Sequence, residues 1–297
     1  MFKKHKSLLL LALAAAVPCV AFAGGGEPRY HGKTLSAWVD EIDPETPMSP
    51  EEDPTYSRAI RHIGTNAIPT LIQWIKSDST ALEDKLSADR MKALSEGKHP
   101  MMYGPETYGS AQRAQYAFGI LGSLARTAVP ALQEIALDSR DQVQYRAAIQ
   151  SLIRIGEPAD PGIKTILENG PPDVKPFAIE ALEYITDWNT NALALVPPAV
   201  NCLLEKNGEA GDIAADVLSR SAPASSFRPT LIAALPTASA DARLRVYRCL
   251  FWTADKGNGM KEETKHLLQA ALNDPDSSVR DFATNALGDL VSPNGGR

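Results

Sequence analysis

Internal self-similarity constrains this chain more than any single motif. The segments Ala117-Phe-Gly-Ile-Leu-Gly122, Ala148-Ile-Gln-Ser-Leu152, Ala178-Ile-Glu-Ala-Leu182, Ala214-Ala-Asp-Val-Leu218, Val246-Tyr-Arg-Cys-Leu250 and Ala283-Thr-Asn-Ala-Leu287 share one apolar pattern. Their leucines lie 31, 30, 36, 32 and 37 residues apart, and Ala59-Ile-Arg-His-Ile-Gly64 is an earlier copy. A period of roughly 20–50 residues marks units that stack to bury what none can bury alone. The chain therefore organises as an array, not around one central core.

A second element follows several copies and is announced by proline at 69, 130, 161 and 229. Proline suits the first turn of a helix, where its missing N–H leaves no bond unmade. Apolar residues then recur at helical spacing, as in Leu71, Trp74 and Ile75, or Ile163, Ile166 and Leu167. The copy with Pro197 and Pro198 before Val200 is less regular. Each unit is thus predicted to be two amphipathic helices with a tight turn, marked by Gly64, Gly122 or Gly156. Alanines 117, 148, 181, 215 and 286 would let neighbouring helices approach closely. An aromatic content of only 6% fits such an Ala/Leu/Ile core. The expected fold is all-α, a solenoid of about six to seven hairpins.

The last copy, Asp274-Pro-Asp276-Ser-Ser-Val279-Arg280-Asp-Phe-Ala283-Thr-Asn-Ala286-Leu287-Gly288, resembles the Asp…Val-Arg…Ala…Ala-Leu-Gly run of HEAT repeats. Asp141, Val143 and Arg146 repeat part of it, and Asp173-Val174-Lys175 keeps a trace. The resemblance spans roughly residues 55 to 291 and implies an armadillo-like α-solenoid. It also implies a structural role for Asp276 and Arg280, because Asp and Arg of such repeats form a ladder between turns. It further implies a protein or peptide partner, held on the concave face of the second helices, where Gln73 and Lys164 are candidate contacts. Tyr30-His-Gly32-Lys33-Thr-Leu35-Ser-Ala-Trp38 is similar to the Tyr-x-Gly-Lys-x-Leu-x-x-Trp opening of some exported bacterial repeat proteins. Physically, Leu35, Trp38, Val39 and Ile42 form one stripe, so a capping helix with Trp38 as its lid is expected.

Residues 1–23 read as a signal peptide. Three lysines precede an uncharged run from Leu8 to Val20, which closes on Ala21-Phe22-Ala23. The run is too short for a comfortable span of about 20 residues. Cys19 follows Pro18, which does not suit lipid attachment. The expected product is exported, periplasmic or secreted, with no membrane insertion. Loss of Lys3, Lys4 and Lys6 moves the formal charge from −6 to −9. That balance disfavours nucleic acid, which demands a basic face. Cys202 and Cys249 then remain, and the repeat register separates them too far for a bridge.

The organisation is therefore a leader at 1–23, a capping helix and loop at 24–54, repeats at 55–291 and a tail at 292–297. An interruption at 79–112 lies within the repeats and includes His99, Met101, Met102, Tyr103 and Tyr108. Long loops often have functional roles, and Met and Tyr make adaptable contacts, so these five are candidate binding residues. The bland alternative is a long helix whose loop folds back on its neighbour.

No chemistry announces itself. His31, His62, His99 and His266 lack metal-ligand spacing, and Asp274-x-Asp276-x-Ser278 lacks the glycine and closing glutamate of a calcium loop. There is no Gly-x-Ser-x-Gly elbow, P-loop or dinucleotide fingerprint. The expectation is a non-catalytic scaffold without cofactor or metal. The alternatives are a lyase-type enzyme of the HEAT-like kind, or a module that binds glycan or envelope.

Overall fold

The chain is seen here as a computed structural model, which describes residues 26–42, 54–78, 109–185, 188–205, 208–256 and 259–291. The expected leader, most of the 79–112 interruption with His99, Met101, Met102, Tyr103 and Tyr108, and residues 292–297 lie outside the described residues.

The chain enters through a hairpin. β1 (Arg29–Tyr30) pairs antiparallel with β2 (Lys33–Thr34) across His31 and Gly32, whose φ angles are 48° and 77°. Two positive φ values give the turn that matches strand twist, and glycine takes the second without strain. α1 (Leu35–Val39) follows, capped by Thr34 Oγ1 accepting from Ala37 N and by Glu27 accepting from Ser36 N and Oγ. Leu35, Trp38 and Val39 are buried, and α1 packs on the first repeat helix. Trp38 Nε1 donates to the Tyr30 carbonyl, and the Lys33 ammonium lies 4.2 Å from the Trp38 ring centroid. Five residues of the opening motif, Tyr30, Gly32, Lys33, Leu35 and Trp38, thus have a folding task. The helix stops one turn short of Ile42, which still packs partly buried against the core.

Hairpins then stack. The first three are α2 (Thr55–Ile63) with α3 (Ile68–Ser77), α4 (Ser110–Leu121) with α5 (Val129–Asp138), and α6 (Gln142–Ile155) with α7 (Asp160–Asn169). The fourth comprises α8 (Lys175–Glu180), a short extra helix α9 (Thr190–Leu193) and α10 (Val196–Leu204). α11 (Glu209–Ser221) with α12 (Ala224–Ala234), then α13 (Ala240–Trp252) with α14 (Met260–Ala271), lead to the closing α15 (Ser277–Val291). The described residues are thus an all-α solenoid of six hairpins and a closing helix, with strand only in the entry hairpin.

The turn within each early hairpin is one device used three times. Gly64, Gly122 and Gly156 end α2, α4 and α6 with φ of 59°, 50° and 80°. A 3-10 stretch follows each, and the next helix has proline in its first turn, at 69, 130 and 161. Pro197 and Pro198 open α10 in the same way. Pro229 departs from expectation: it lies inside α12, which begins five residues earlier. The added turn places Phe227 and Arg228 fully inside the protein, and that burial outweighs the bond Pro229 cannot donate.

First helices pack in one row and second helices in another. Ala117, Ala148, Ala181, Ala215 and Ala286 are all buried between them, as are Leu121, Leu152, Leu182, Leu218 and Leu250. Each such leucine is worth about 1.5–3 kcal/mol in burial. The rows are not uniform. α6 packs closely on α4 but only lightly on α8, which has six residues before passing into a 3-10 stretch, Ala181–Tyr184. The junction between the third and fourth hairpins is therefore thin.

Polar ties hold the C-terminal half. The Arg228 guanidinium donates to the Leu250 carbonyl and to Thr253, Glu263 and Thr264. Arg243 and Asp274 make a two-point pair at 2.7 Å. This is the inter-turn rung, made one turn away from Asp276 and Arg280. Asp276 instead caps α15 by accepting from Ser278 N and Val279 N, and Arg280 donates to the carbonyls of Asp274 and Pro275. Cys202 and Cys249 are buried and unbridged; burial pushes their thiols up to about 11 and about 12.

Candidate functional site

The row of intra-hairpin turns carries a cleft. The third hairpin supplies Glu157 from its 3-10 turn, with Asp160, Pro161 and Lys164 from the start of α7. The second hairpin contributes Arg126 from its own turn, and the fourth contributes Asn191, Ala194 and Leu195. Together they bound a cleft of about 550 Å³. A smaller lobe of about 200 Å³ shares Glu157 and Asp160 and continues between Ile153, Ile163, Ala181 and Tyr184. Both lobes lie at the thin junction, where the short α8 and the inserted α9 leave space that a regular repeat would fill.

Local sequence accounts for each wall. Gly156 turns the chain, Pro158 and Pro161 start the 3-10 stretch and α7, and so Glu157 and Asp160 fall at successive positions of one edge. Asn189 caps α9, its Oδ1 accepting from Asn191 N and Ala192 N, and Asn191 Nδ2 reaches back to Glu157. That bond joins the two sides of the junction. Burial raises the Asp160 carboxyl to about 6, and the neighbouring Glu157 charge adds to the rise. Among the described residues the Asp160 carboxyl has no hydrogen-bond or ion-pair partner. Lys164 instead turns along its helix to Glu168, 3.8 Å away. Exposed apolar side chains flank the cleft on the same row of turns: Leu124, Leu193 and Tyr184, the last 63% exposed.

Of the residues singled out from sequence, Lys164 lines this cleft, whereas Gln73 is exposed on α3 and touches neither lobe. Trp38 belongs to the entry module, and Asp276 and Arg280 to the start of α15. His62 packs against Tyr30 with the rings tilted and their centroids 4.4 Å apart. Among the described residues no three His, Cys, Asp or Glu side chains gather as metal ligands would, and no helix is long and apolar enough to cross a membrane. Arg126, Glu157, Asp160 and Asn191 were not legible as a group, since they come from three repeats. One signal did point there: the leucine spacing jumps from 30 to 36 between Leu182 and Leu218, where α9 is inserted.

A HEAT repeat family model matches residues 265–292, from within α14 through α15. The match supports the HEAT-repeat reading of the hairpin stack. HEAT repeats generally mediate contacts between proteins and are typically non-catalytic. No curated protein matches the chain.

Proposed function

We propose that this chain is a non-catalytic interaction scaffold, exported to the periplasm or the exterior, that holds a protein or peptide at the junction of its third and fourth hairpins. The observation behind this reading is the two-lobed cleft, built from three successive turns and lined by both apolar and charged groups. Protein partners anchor themselves by a few side chains seated in pockets, and this cleft offers such a pocket. The export half rests on residues 1–23.

A photo-crosslinking residue placed at Lys164 in the exported protein tests the docking site. Capture of one discrete partner at Lys164, with none from the same residue at Asn285 on the exposed side of α15, is the expected result. Equal capture at both positions, or none at Lys164, would overturn it. The amino terminus of the processed chain, read by mass spectrometry, is expected at Gly24.

A further inference from the structure

The cleft's chemistry specifies more than a place. It offers one partly buried carboxyl, Asp160, that nothing else among the described residues satisfies, with a second carboxylate, Glu157, beside it. The nearby lysine is already turned to Glu168, and Glu157 is steadied by Asn191. Next to these acids lie apolar surfaces: Pro161, Ala194 and Leu195 in the larger lobe, and Ile153, Ile163 and Ile185 in the smaller. An acidic end with aliphatic walls is complementary to one class of side chain, a flexible hydrocarbon stem tipped with a cation. The overall charge of −6, or −9 after leader removal, would draw such a partner in.

Building on the scaffold reading, we propose that the cleft receives a lysine or arginine side chain of the partner polypeptide, its cationic head between Glu157 and Asp160 and its stem along Leu195 and Ala194. The head would relieve the repulsion between the two carboxylates and provide the donors that Asp160 lacks. Arg126, from the preceding turn, also lines the cleft and could meet an acceptor on the partner's backbone.

The same arrangement makes capture depend on pH. The charged and titratable groups bordering Asp160 in the two lobes are Glu157 on its own turn, Lys164 one turn on, Arg126 from the second hairpin and Tyr184 from the fourth. Burial, and then the Glu157 charge, push the Asp160 carboxyl up to about 6. Binding of the cation therefore weakens as pH falls through 6.

Blocked pentapeptides, acetyl-Ala-Ala-X-Ala-Ala-amide with X as lysine, norleucine or glutamate, titrated into the processed protein by NMR, separate the outcomes. The lysine peptide is expected to shift the Asn191 side-chain and Ala194 resonances and to bind most tightly. Asp160→Asn is expected to weaken it about tenfold, since a charge-assisted bond is lost, and to flatten its pH dependence. Glu157→Gln serves as a second variant, with circular dichroism confirming that both fold. Equal binding of the norleucine peptide, or an Asp160→Asn variant that binds lysine as the parent does, overturns the proposal. If the lysine peptide fails while crosslinking at Lys164 still captures one partner, the cation reading falls and the scaffold reading stands.

Discussion

Arg245 shows how a buried charge dictates a neighbour. Its guanidinium donates to the carbonyls of Leu203 and Glu205 and to Asp212, and lies against α11 at Gly211. A methyl group added at Gly211 would sit 2.6 Å from Arg245 Nη1. Gly211→Ala is therefore expected to destabilise by about 1–3 kcal/mol, read by urea unfolding. Two aspartates give opposite pH signatures. The Arg243 hydrogen bonds hold the Asp274 carboxyl below its ordinary range. Its contribution is complete above the unfolded value of about 3.9 and is lost as pH falls through the lower folded value. Asp274→Asn should thus cost stability at neutral pH and lose that cost in strong acid. Asp160 runs the other way: its folded value of about 6 means that stability present below about pH 4 is given up as pH rises through 6. Asp160→Asn should then match the parent near pH 4 and exceed it above pH 6, in thermal melts across that range. A site that lowers the stability of the empty protein is consistent with selection for a ligand and not for packing.

At the scale of elements, two helix starts are set by side chains distant in sequence or by departures from rule. Asp78, after α3, accepts from Ser110 Oγ at 2.5 Å and from Ala111 N at 2.7 Å, and so caps α4, whose first turn falls within the expected 79–112 interruption. Gln144 on α6 donates to the carbonyls of Lys76 and Asp78 and steadies the same corner. Asp78→Ala is expected to cost about 1–2 kcal/mol, the usual loss for a cap. Pro229, exposed within α12, removes a helical bond, so Pro229→Ala should raise the melting temperature. An unchanged or lower value would mean that the pyrrolidine ring packs better than its exposure implies. The hairpins themselves were legible because apolar spacing, glycine stops and proline starts are all local. The start of α12 was not, because Phe227 and Arg228 find their partners on α13, α14 and the turn between them only after the chain has folded.

Over the whole molecule, stability is approximately a sum of hairpins and the interfaces between them. The interface from α6 to α8 is the thin one, and Ala181–Tyr184 and Thr190–Leu193 beside it are a short 3-10 and a short α segment. Amide hydrogen exchange is expected to be faster there than in α4, α6, α11 or α13, and to slow when the cleft is filled. The solenoid should also give a helix-dominated circular dichroism spectrum, since strand among the described residues is confined to the entry hairpin.

The sequence by itself determined the repeat, its two-helix unit and the glycine and proline that punctuate the early hairpins, because each depends on spacing within about 35 residues. It also marked the entry motif, though not that Lys33 would stack on Trp38. Only the tertiary structure decided where the array leaves a gap. The cleft exists because α8 is short and α9 is inserted, so that Arg126, Asp160 and Asn191, from three turns, face one space. Side chains that are 31 or more residues apart meet only once helices stack, and no local pattern records which of them that stacking leaves unsatisfied.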